Sequence, residues 1–232
     1  MNAPKKHNKP HELTSPQTLL PLSSPYGGSP EGDMGSEGLG EASFSSWKPG
    51  NMIYPLPAVL ISCGNTPEEY NLFTVSWVGT ICTNPPMCYI SVRPERHSYE
   101  IIKRTGEFVI NLTNEDLAYA ADWCGVRSGR DFNKFEEMKL SPKKSEIISA
   151  PYVQQSPVCI ECKVKEIVSL GSHDMFIAQV VNVLANEKYI NPQTGEFRLA
   201  DAKLIAYSHG HYHKLGDEIG KFGWSVQKKK EK

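Results

Sequence analysis

The sequence predicts a mainly β protein, in which antiparallel strands close into a barrel with a few helices at its rim. About six or seven segments alternate apolar and polar residues with a period of two, which is the pattern of half-buried strands. Short turns rich in Gly, Pro and Asn separate them. Only two segments have a clear helical pattern, and no glycine fingerprint marks a βαβ unit. This combination favours an antiparallel barrel over a doubly wound sheet.

The composition is that of an ordinary soluble domain. The 232 residues are 39% hydrophobic and 22% charged, and the net charge of -1 lacks the basic surplus of a nucleic-acid-binding protein. No apolar run approaches the ~20 residues of a membrane-spanning helix, and no export signal is recognisable. The six scattered cysteines are therefore expected to be reduced thiols in a cytoplasmic protein.

The chain divides into three regions by composition. Residues 1–46 are rich in Pro, Gly, Ser and Glu and offer too few aliphatic side chains to offset the entropy of ordering. We expect them to form a disordered tail. Residues 47–214 are expected to form the folded domain, and residues 215–232 a C-terminal tail.

The central segment of the folded domain is Asn71 to Pro86, which reads NLFTVSWVGTICTNPP. It begins as an alternating strand and is expected to turn at Gly79 and to stop at the two prolines. An apolar run from Ala58 to Cys63 precedes it, and a strand from Met87 to Val92 follows. The short connections predict that these three strands form an antiparallel meander.

Hydroxyl groups mark one face of the central strand. Thr74 and Ser76 share that face, and Thr80 follows just beyond. A strand end with hydroxyls and free N–H groups can hold a phosphate or a planar polar ring. The alternative is a half-buried strand with threonines facing solvent, and this segment taken alone favours the alternative.

The first helix has a start suited to an anion. Ser98 is expected to cap a helix from Tyr99 to Thr105, with Ile101 and Ile102 facing inward and Gly106 ending it. Helix starts attract negative charge because their N–H groups are free. Basic residues lie next to this one: Arg93, Arg96 and His97. An ordinary cap surrounded by solvated charges explains the same residues equally well.

The second helix leads into a basic loop. Asn114 is expected to cap a helix from Glu115 to Cys124, which Gly125 ends. The next loop, Val126 to Asp131, has arginines on both sides of Ser128-Gly129, and Lys134 follows. It could close over a ligand or be a solvated connection. A short helical turn is expected from Asp131, with Phe132 and Phe135 on one side.

A long hairpin dominates the C-terminal half. Strands from Pro157 to Leu170 and from Met175 to Ala185 are expected to pair across a turn at Gly171. Cys159 and Cys162 lie three apart in the first strand, so they should face opposite sides, and no second CxxC completes a zinc site.

Three alternating histidines follow near the C-terminus: His209, His211 and His213. In a strand they would share a face and could form a metal triad. Gly210 and Gly216 indicate a turn instead, and no carboxylate is spaced to complete the ligand set, so a surface or dimer contact is the favoured interpretation. No motif for a catalytic nucleophile is present, so any chemistry is expected to belong to a bound cofactor.

Several segments together resemble one family. PLPAVLISCG, NLFTVSWVGTICTNPP, MCYISVRPERHSYEIIKRTGEFVINL and SGRDFNKF are similar to the flavin reductase-like family of FMN-binding split β-barrels. HYHKLGDEIGKFGWS resembles the tail of its flavoredoxin-type branch. The resemblance covers residues 54–207 and implies a homodimer with one FMN per protomer near the subunit interface. It also implies electron transfer between NADH or NADPH and flavin, or between flavin and a redox protein partner. The alternative within the family is a non-enzymatic FMN electron carrier.

The resemblance also implies the cofactor-binding residues. Along the flavin it places Asn71, Thr74, Ser76, Trp77, Gly79 and Thr80. Near the phosphate and ribityl chain it places Arg93, His97 and Ser98, with Arg96 as the alternative arginine. Gly129 and Lys134 belong to a loop that either the same or the neighbouring subunit supplies. No catalytic side chain and no metal ligand are predicted, because hydride passes directly between the two cofactors.

Overall fold

The structure is a computed structural model that describes residues 42–226. Most of the predicted N-terminal tail and the last six residues of the chain lie outside this range. Residues 42–49 belong to a separate unit, in which they are exposed and have no regular secondary structure. The folded unit begins at Gly50. No helix within residues 42–226 has both the length and the apolar character needed to cross a membrane.

Strands make up most of the folded unit. In chain order they are β1 (Leu56–Pro57), β2 (Val59–Cys63), β3 (Asn71–Val75), β4 (Val78–Cys82), β5 (Met87–Val92), β6 (Glu107–Leu112), β7 (Pro142–Lys143), β8 (Tyr152–Val153), β9 (Val158–Ser169), β10 (Asp174–Ala185), β11 (Ile205–Ser208) and β12 (His211–Lys214). The α-helices of the described residues are α1 (His97–Thr105), α2 (Ala118–Val126) and α3 (Lys134–Glu137).

A seven-stranded antiparallel sheet forms the barrel. Its strand order is β3-β2-β6-β9-β10-β5-β4, so β3 and β4 are its two edges. These edges are consecutive in the chain, and a bend at Ser76 and Trp77 joins them. The backbone N–H of Ser91 donates to the Trp77 carbonyl over 2.9 Å and fixes that bend against β5. The prediction of a mainly β, antiparallel split barrel with peripheral helices is confirmed.

Two details of the predicted central segment are wrong. The turn lies at Ser76–Trp77 and not at Gly79, which pairs with Tyr89 inside a strand. A Cβ atom on Gly79 would lie 2.8 Å from the Tyr89 ring, so ring packing requires this glycine. The three-stranded meander is also wrong, because β2–β3 and β4–β5 are separate hairpins at opposite ends of the sheet order.

The barrel interior and the outer face of the sheet carry different buried clusters. The interior cluster includes Phe73, Ile90, Phe108 and Phe176, and α2 and α3 pack on a second cluster built on β2 and β3. Cys162 belongs to the interior cluster, whereas Cys159 belongs to a third cluster, which confirms that the two thiols face opposite sides.

Helix α1 begins differently from the prediction. Its cap is Arg96, which uses no side-chain hydrogen bond, and Ser98 is buried within the first turn. The predicted end is confirmed, because Gly106 adopts the left-handed conformation at φ 68° that glycine allows. The Tyr99 hydroxyl donates to the buried carboxylate of Asp174 at the start of β10 and anchors the helix to the barrel.

Replacing Tyr99 by phenylalanine is expected to destabilise the protein by about 1–2 kcal/mol, because Asp174 would be left buried without this donor. The hydrogen bond with Asp174 and burial raise the pKa of Tyr99 to about 12. The wild-type protein should therefore keep this stabilisation below pH 10 and lose it between pH 10 and about 12.

Urea unfolding at pH 7 measures the stability that the phenylalanine substitution at Tyr99 removes. Tyr119→Phe is the control, because Tyr119 is 76% exposed. Equal stabilities of the two variants would contradict the prediction.

The second helix and the short helix after it also differ from their predicted bounds. Asn114 does act as a cap, since its side chain accepts from the Leu117 N–H over 3.2 Å, but it caps a 3-10 turn that precedes α2. Gly125 lies inside α2, where a Cβ atom would come within 3.3 Å of Thr74. The later turn begins at Lys134 and not at Asp131, because Asn133 provides its cap.

Candidate functional site

A cavity of about 340 Å³ lies where the start of α1 faces the loop between α2 and α3. We call it the cationic cavity. Its basic lining residues are Arg93, Arg96, Arg127, Arg130 and Lys134, and its acidic lining residue is Glu95. This excess of positive charge, together with the free N–H groups at the start of α1, suits a phosphate group.

Lys134 is the buried member of this set, with 3% of its surface exposed. Its ammonium group donates to the Cys124 carbonyl over 2.8 Å. Burial lowers the pKa of Lys134 to about 8, and the nearby Arg96 acts in the same direction. The lysine is therefore charged at neutral pH in a place where its charge is costly, and a bound anion would offset that cost.

The arginines tie the walls of the cationic cavity together. Arg96 donates to the Gly125 carbonyl over 3.0 Å, and Arg130 donates to the Glu95 carbonyl over 3.2 Å. These bonds connect the start of α1 with α2 and with the loop after it. His97 also lines the cationic cavity, and its pKa is lowered by burial and by the positive charges of Arg130 and Lys134. The neutral form of His97 is thus favoured at pH 7.

Asn71, Ser98 and Gly129 form one wall of the cationic cavity. The Asn71 amide donates to the Ser98 hydroxyl over 2.6 Å, which explains why Ser98 is buried instead of capping the helix. A Cβ atom on Gly129 would lie 2.2 Å from the Asn71 side-chain oxygen. The loop can approach this wall only because residue 129 has no side chain.

A second cavity, of about 210 Å³, lies beside the bend between β3 and β4. We call it the strand-edge cavity. It shares Phe73, Arg93 and Arg96 with the cationic cavity, so the two adjoin. The indole of Trp77 packs on His173 with ring centres 4.4 Å apart, and Trp77 is 36% exposed. Burial lowers the pKa of His173, and the charge of Arg93 acts in the same direction.

The structure brings nine of the eleven predicted residues to these two cavities. The cationic cavity contains Asn71, Arg93, His97, Ser98, Gly129 and Lys134; the strand-edge cavity contains Thr74, Ser76 and Trp77, and Arg93 again. The Thr74 hydroxyl donates to the Ala121 carbonyl, so it also anchors α2. Gly79 and Thr80 line neither cavity, because they lie beyond the bend on β4.

Sequence reasoning missed the residues that only the sheet topology brings to the site. His173 comes from the turn between β9 and β10, and Tyr207 comes from β11. His173 lies 96 residues and Tyr207 lies 130 residues after Trp77 in the chain, and no local pattern distinguishes them from surface residues. Glu95 was overlooked because a single acid among basic residues indicates only an ordinary ion pair.

The histidine cluster does not form a compact ligand set. His209 lies in the turn between β11 and β12 at φ 47°, and its ring packs on Tyr54. His211 and His213 lie on β12 with ring centres 6.3 Å apart. Within residues 42–226, no group of three or more His, Cys, Asp or Glu residues is arranged to hold a metal ion.

The fold and the two cavities define a split β-barrel protein with a cationic cleft beside its edge strands. The chain belongs to the flavin reductase-like family, because residues 52–216 match the flavin reductase like domain. The flavoredoxin of Desulfovibrio vulgaris (Miyazaki F) has the same fold, with a TM-score of 0.73 and 24% identity; the match covers 80% of this chain and 100% of that one.

One further solved structure and one further sequence relative are also similar to this chain. A structure from Shewanella frigidimarina, described as a flavin reductase with a split barrel domain, superposes with a TM-score of 0.64 and 26% identity over 72% of this chain and 85% of that one. An uncharacterised protein of Archaeoglobus fulgidus is 27% identical over 137 residues, which are 59% of this chain and 76% of the relative.

Proposed function

We propose that this protein binds FMN and transfers electrons between a nicotinamide nucleotide, NADH or NADPH, and the flavin or a redox partner. The observation that carries the proposal is the charge of the cationic cavity, where five basic side chains face one carboxylate. A buried lysine at its floor has a charge that an anionic ligand would stabilise. Because the chain belongs to the flavin reductase-like family, the phosphate group of a flavin is the anion that we expect there.

The residues of the cationic cavity suit the phosphate end of FMN. Lys134 and Arg96 provide charged donors, and the start of α1 provides free backbone N–H groups. Arg93 borders both cavities and would follow the ribityl chain from one to the other. Asn71 and Ser98 hold each other in place beside that path.

The strand-edge cavity suits the flavin ring. Trp77 and His173 offer aromatic surface, and Ser76 and Ser91 offer polar groups at its margin. When bound, the flavin would supply the redox chemistry by accepting a hydride from nicotinamide. The role of the chain is then to bind, to orient and to exclude water, which agrees with the lack of a catalytic nucleophile motif.

FMN titration of the purified protein tests the proposal. We expect a yellow protein that releases FMN on denaturation, and we expect Arg96→Ala to weaken FMN binding about 10-fold through loss of a charge-assisted hydrogen bond. Arg198→Ala is the control, because Arg198 lines none of the cavities described here. A protein that takes up no added FMN would refute the proposal. Equal FMN affinities of the two variants would show that the FMN phosphate does not bind at Arg96.

The similarity to the flavoredoxin structure supports a second candidate function. In this function the protein carries electrons on FMN and does not oxidise a nicotinamide nucleotide. Anaerobic stopped-flow mixing of the FMN-loaded protein with NADH or NADPH distinguishes the two functions. Rapid loss of the oxidised flavin absorbance identifies a reductase, whereas an unchanged spectrum identifies a carrier.

We also propose that the protein is a homodimer, as its family resemblance implies. Exposed apolar side chains support a protein contact beside the strand-edge cavity. Ile53 is 85% exposed and lines a further cavity together with Trp77, which is 36% exposed and also lines the strand-edge cavity. Light scattering after gel filtration should give twice the mass of 25.9 kDa. A mass equal to one chain would refute the dimer.

A further inference from the structure

A third cavity, of about 520 Å³, lies on the far side of the Asn71–Gly129 contact. We call it the outer cavity. It shares a wall with the cationic cavity, made of Asn71, His97, Gly129 and Arg130. We infer that the outer cavity binds the adenosine end of the nicotinamide dinucleotide, whose phosphates lie on Arg127 and Arg130. This inference rests on the proposed function.

The charge of the cationic cavity exceeds what one FMN phosphate requires. Five basic residues and one acid give an excess of four positive charges, whereas a phosphate monoester carries about −1.5 to −2. About two positive charges remain for another anionic group. Lys134 is buried at the floor, whereas Arg127 and Arg130 are exposed on the loop at the rim. The rim arginines are therefore the ones available to a second ligand that enters after FMN.

The order of the three cavities matches the order of groups in the dinucleotide. FMN and the nicotinamide half of the dinucleotide both run from ring through sugar to phosphate. A nicotinamide stacked on a flavin in the strand-edge cavity brings its pyrophosphate over the cationic cavity. The adenosine then extends beyond the phosphates, and the outer cavity adjoins the cationic cavity through Arg130.

Phe132 gives the outer cavity an aromatic surface that is held in place. Its ring meets the Trp123 indole edge-to-face, with centres 5.4 Å apart, and the Arg127 guanidinium lies 5.7 Å from its centre. Phe132 remains 36% exposed, and Tyr70 also lines the cavity. A purine base stacks well on such a ring.

The acidic residues of the outer cavity favour a base over a phosphate. Glu68, Glu69 and Asp131 line it, and Glu69 is paired with Arg104 over 2.7 Å. Hydrogen bonding by Thr66 lowers the pKa of Glu68, so that this carboxylate is charged at neutral pH. Carboxylates repel phosphate groups but accept hydrogen bonds from the amino group of adenine. The phosphates are thereby directed to the arginines and the base to the outer cavity.

Calorimetric titration of the FMN-loaded protein with ADP tests the inference. We expect ADP to bind without releasing FMN, and Phe132→Ala to weaken ADP binding about 10-fold while FMN affinity stays within about twofold. Phe132→Tyr should restore ADP binding, because it keeps the stacking surface. Phe222→Ala is the matched control, since this fully exposed phenylalanine lies outside the cavity. NAD⁺, which has no 2′-phosphate and cannot reduce the flavin, should show the same dependence on Phe132 as ADP.

Three results would overturn the inference: no ADP binding to the FMN-loaded wild type, equal ADP affinity of wild type and Phe132→Ala, or displacement of FMN by ADP. Displacement of FMN would mean that the diphosphate of ADP binds where the phosphate of FMN binds. Failure of the proposed function is a separate outcome, because the FMN titration shows it before any ADP is added.

Discussion

Replacing Lys134 by methionine is expected to weaken FMN binding about 100-fold while making the FMN-free protein more stable. The loss of affinity corresponds to about 3 kcal/mol, which is the upper range for a charge-assisted hydrogen bond in a buried site. Lys134 is the cation of the cationic cavity that water screens least, since it is 3% exposed. Its contribution to phosphate binding should therefore exceed that of the exposed Arg96.

The opposite effect on stability follows from the pKa of Lys134. Burial lowers this pKa from 10.5 to about 8, so between these pH values the unfolded chain holds a proton that the folded chain has released. Stability therefore rises with pH across this window, and below pH 8 folding costs about 3 kcal/mol for burying the charge. Methionine removes this cost but leaves the Cys124 carbonyl without its donor, a loss of about 1 kcal/mol. A net gain of about 1–2 kcal/mol is expected.

Urea unfolding of the FMN-free proteins and FMN titration, both from pH 7 to pH 10, measure the two effects. Wild-type affinity for FMN should fall as the pH rises above about 8, because Lys134 loses its proton, and the methionine variant should lack this fall. Lys165→Met, which replaces an exposed lysine on β9, serves as the control. A methionine variant that binds FMN like wild type, or that is less stable below pH 8, would show that Lys134 is not the buried cation of the phosphate site.

The strands were predictable because their period of two is a local property of the sequence. The hairpin of β9 and β10 follows from alternation on both sides of Gly171, and the structure shows it at almost the predicted bounds. The bend at Ser76–Trp77 was not predictable, since the same alternation continues through it. Only closure of the sheet, with β3 and β4 as its two edges, forces the chain to turn there.

The site was predictable where residues close together in the sequence define it. It was unpredictable where contacts between residues far apart in the sequence define it. The basic residues before α1 indicated an anion site, and the structure places them around the cationic cavity. The cap assigned to Ser98 was wrong because its hydroxyl is engaged by Asn71, 27 residues away. The burial of Lys134 against α2 also has no signal in the sequence, where it is one of several basic residues between Arg127 and Lys139.

Replacing Gly129 by alanine is expected to weaken FMN binding at least about 30-fold. The new Cβ atom would lie 2.2 Å from the Asn71 side-chain oxygen and 2.9 Å from its nitrogen, closer than such atoms can approach. Asn71 is 5% exposed and is held by its 2.6 Å hydrogen bond to Ser98, so it has little room to move. Either this bond breaks or the loop of Arg127 and Arg130 moves outward, and both changes disturb the cationic cavity.

A double-mutant cycle with Asn71→Ala distinguishes this steric cause from a general effect of alanine on the loop. If the clash is responsible, Gly129→Ala should add almost nothing to the loss caused by Asn71→Ala, because the shortened side chain leaves space for the methyl group. The two substitutions would then show a coupling energy of at least about 2 kcal/mol, which is the whole loss caused by Gly129→Ala alone. Gly216→Ala is the control, since a Cβ atom there meets nothing within 4 Å. Strictly additive losses would mean that alanine acts through the loop backbone, and that Gly129 is needed for its flexibility instead of its contact with Asn71.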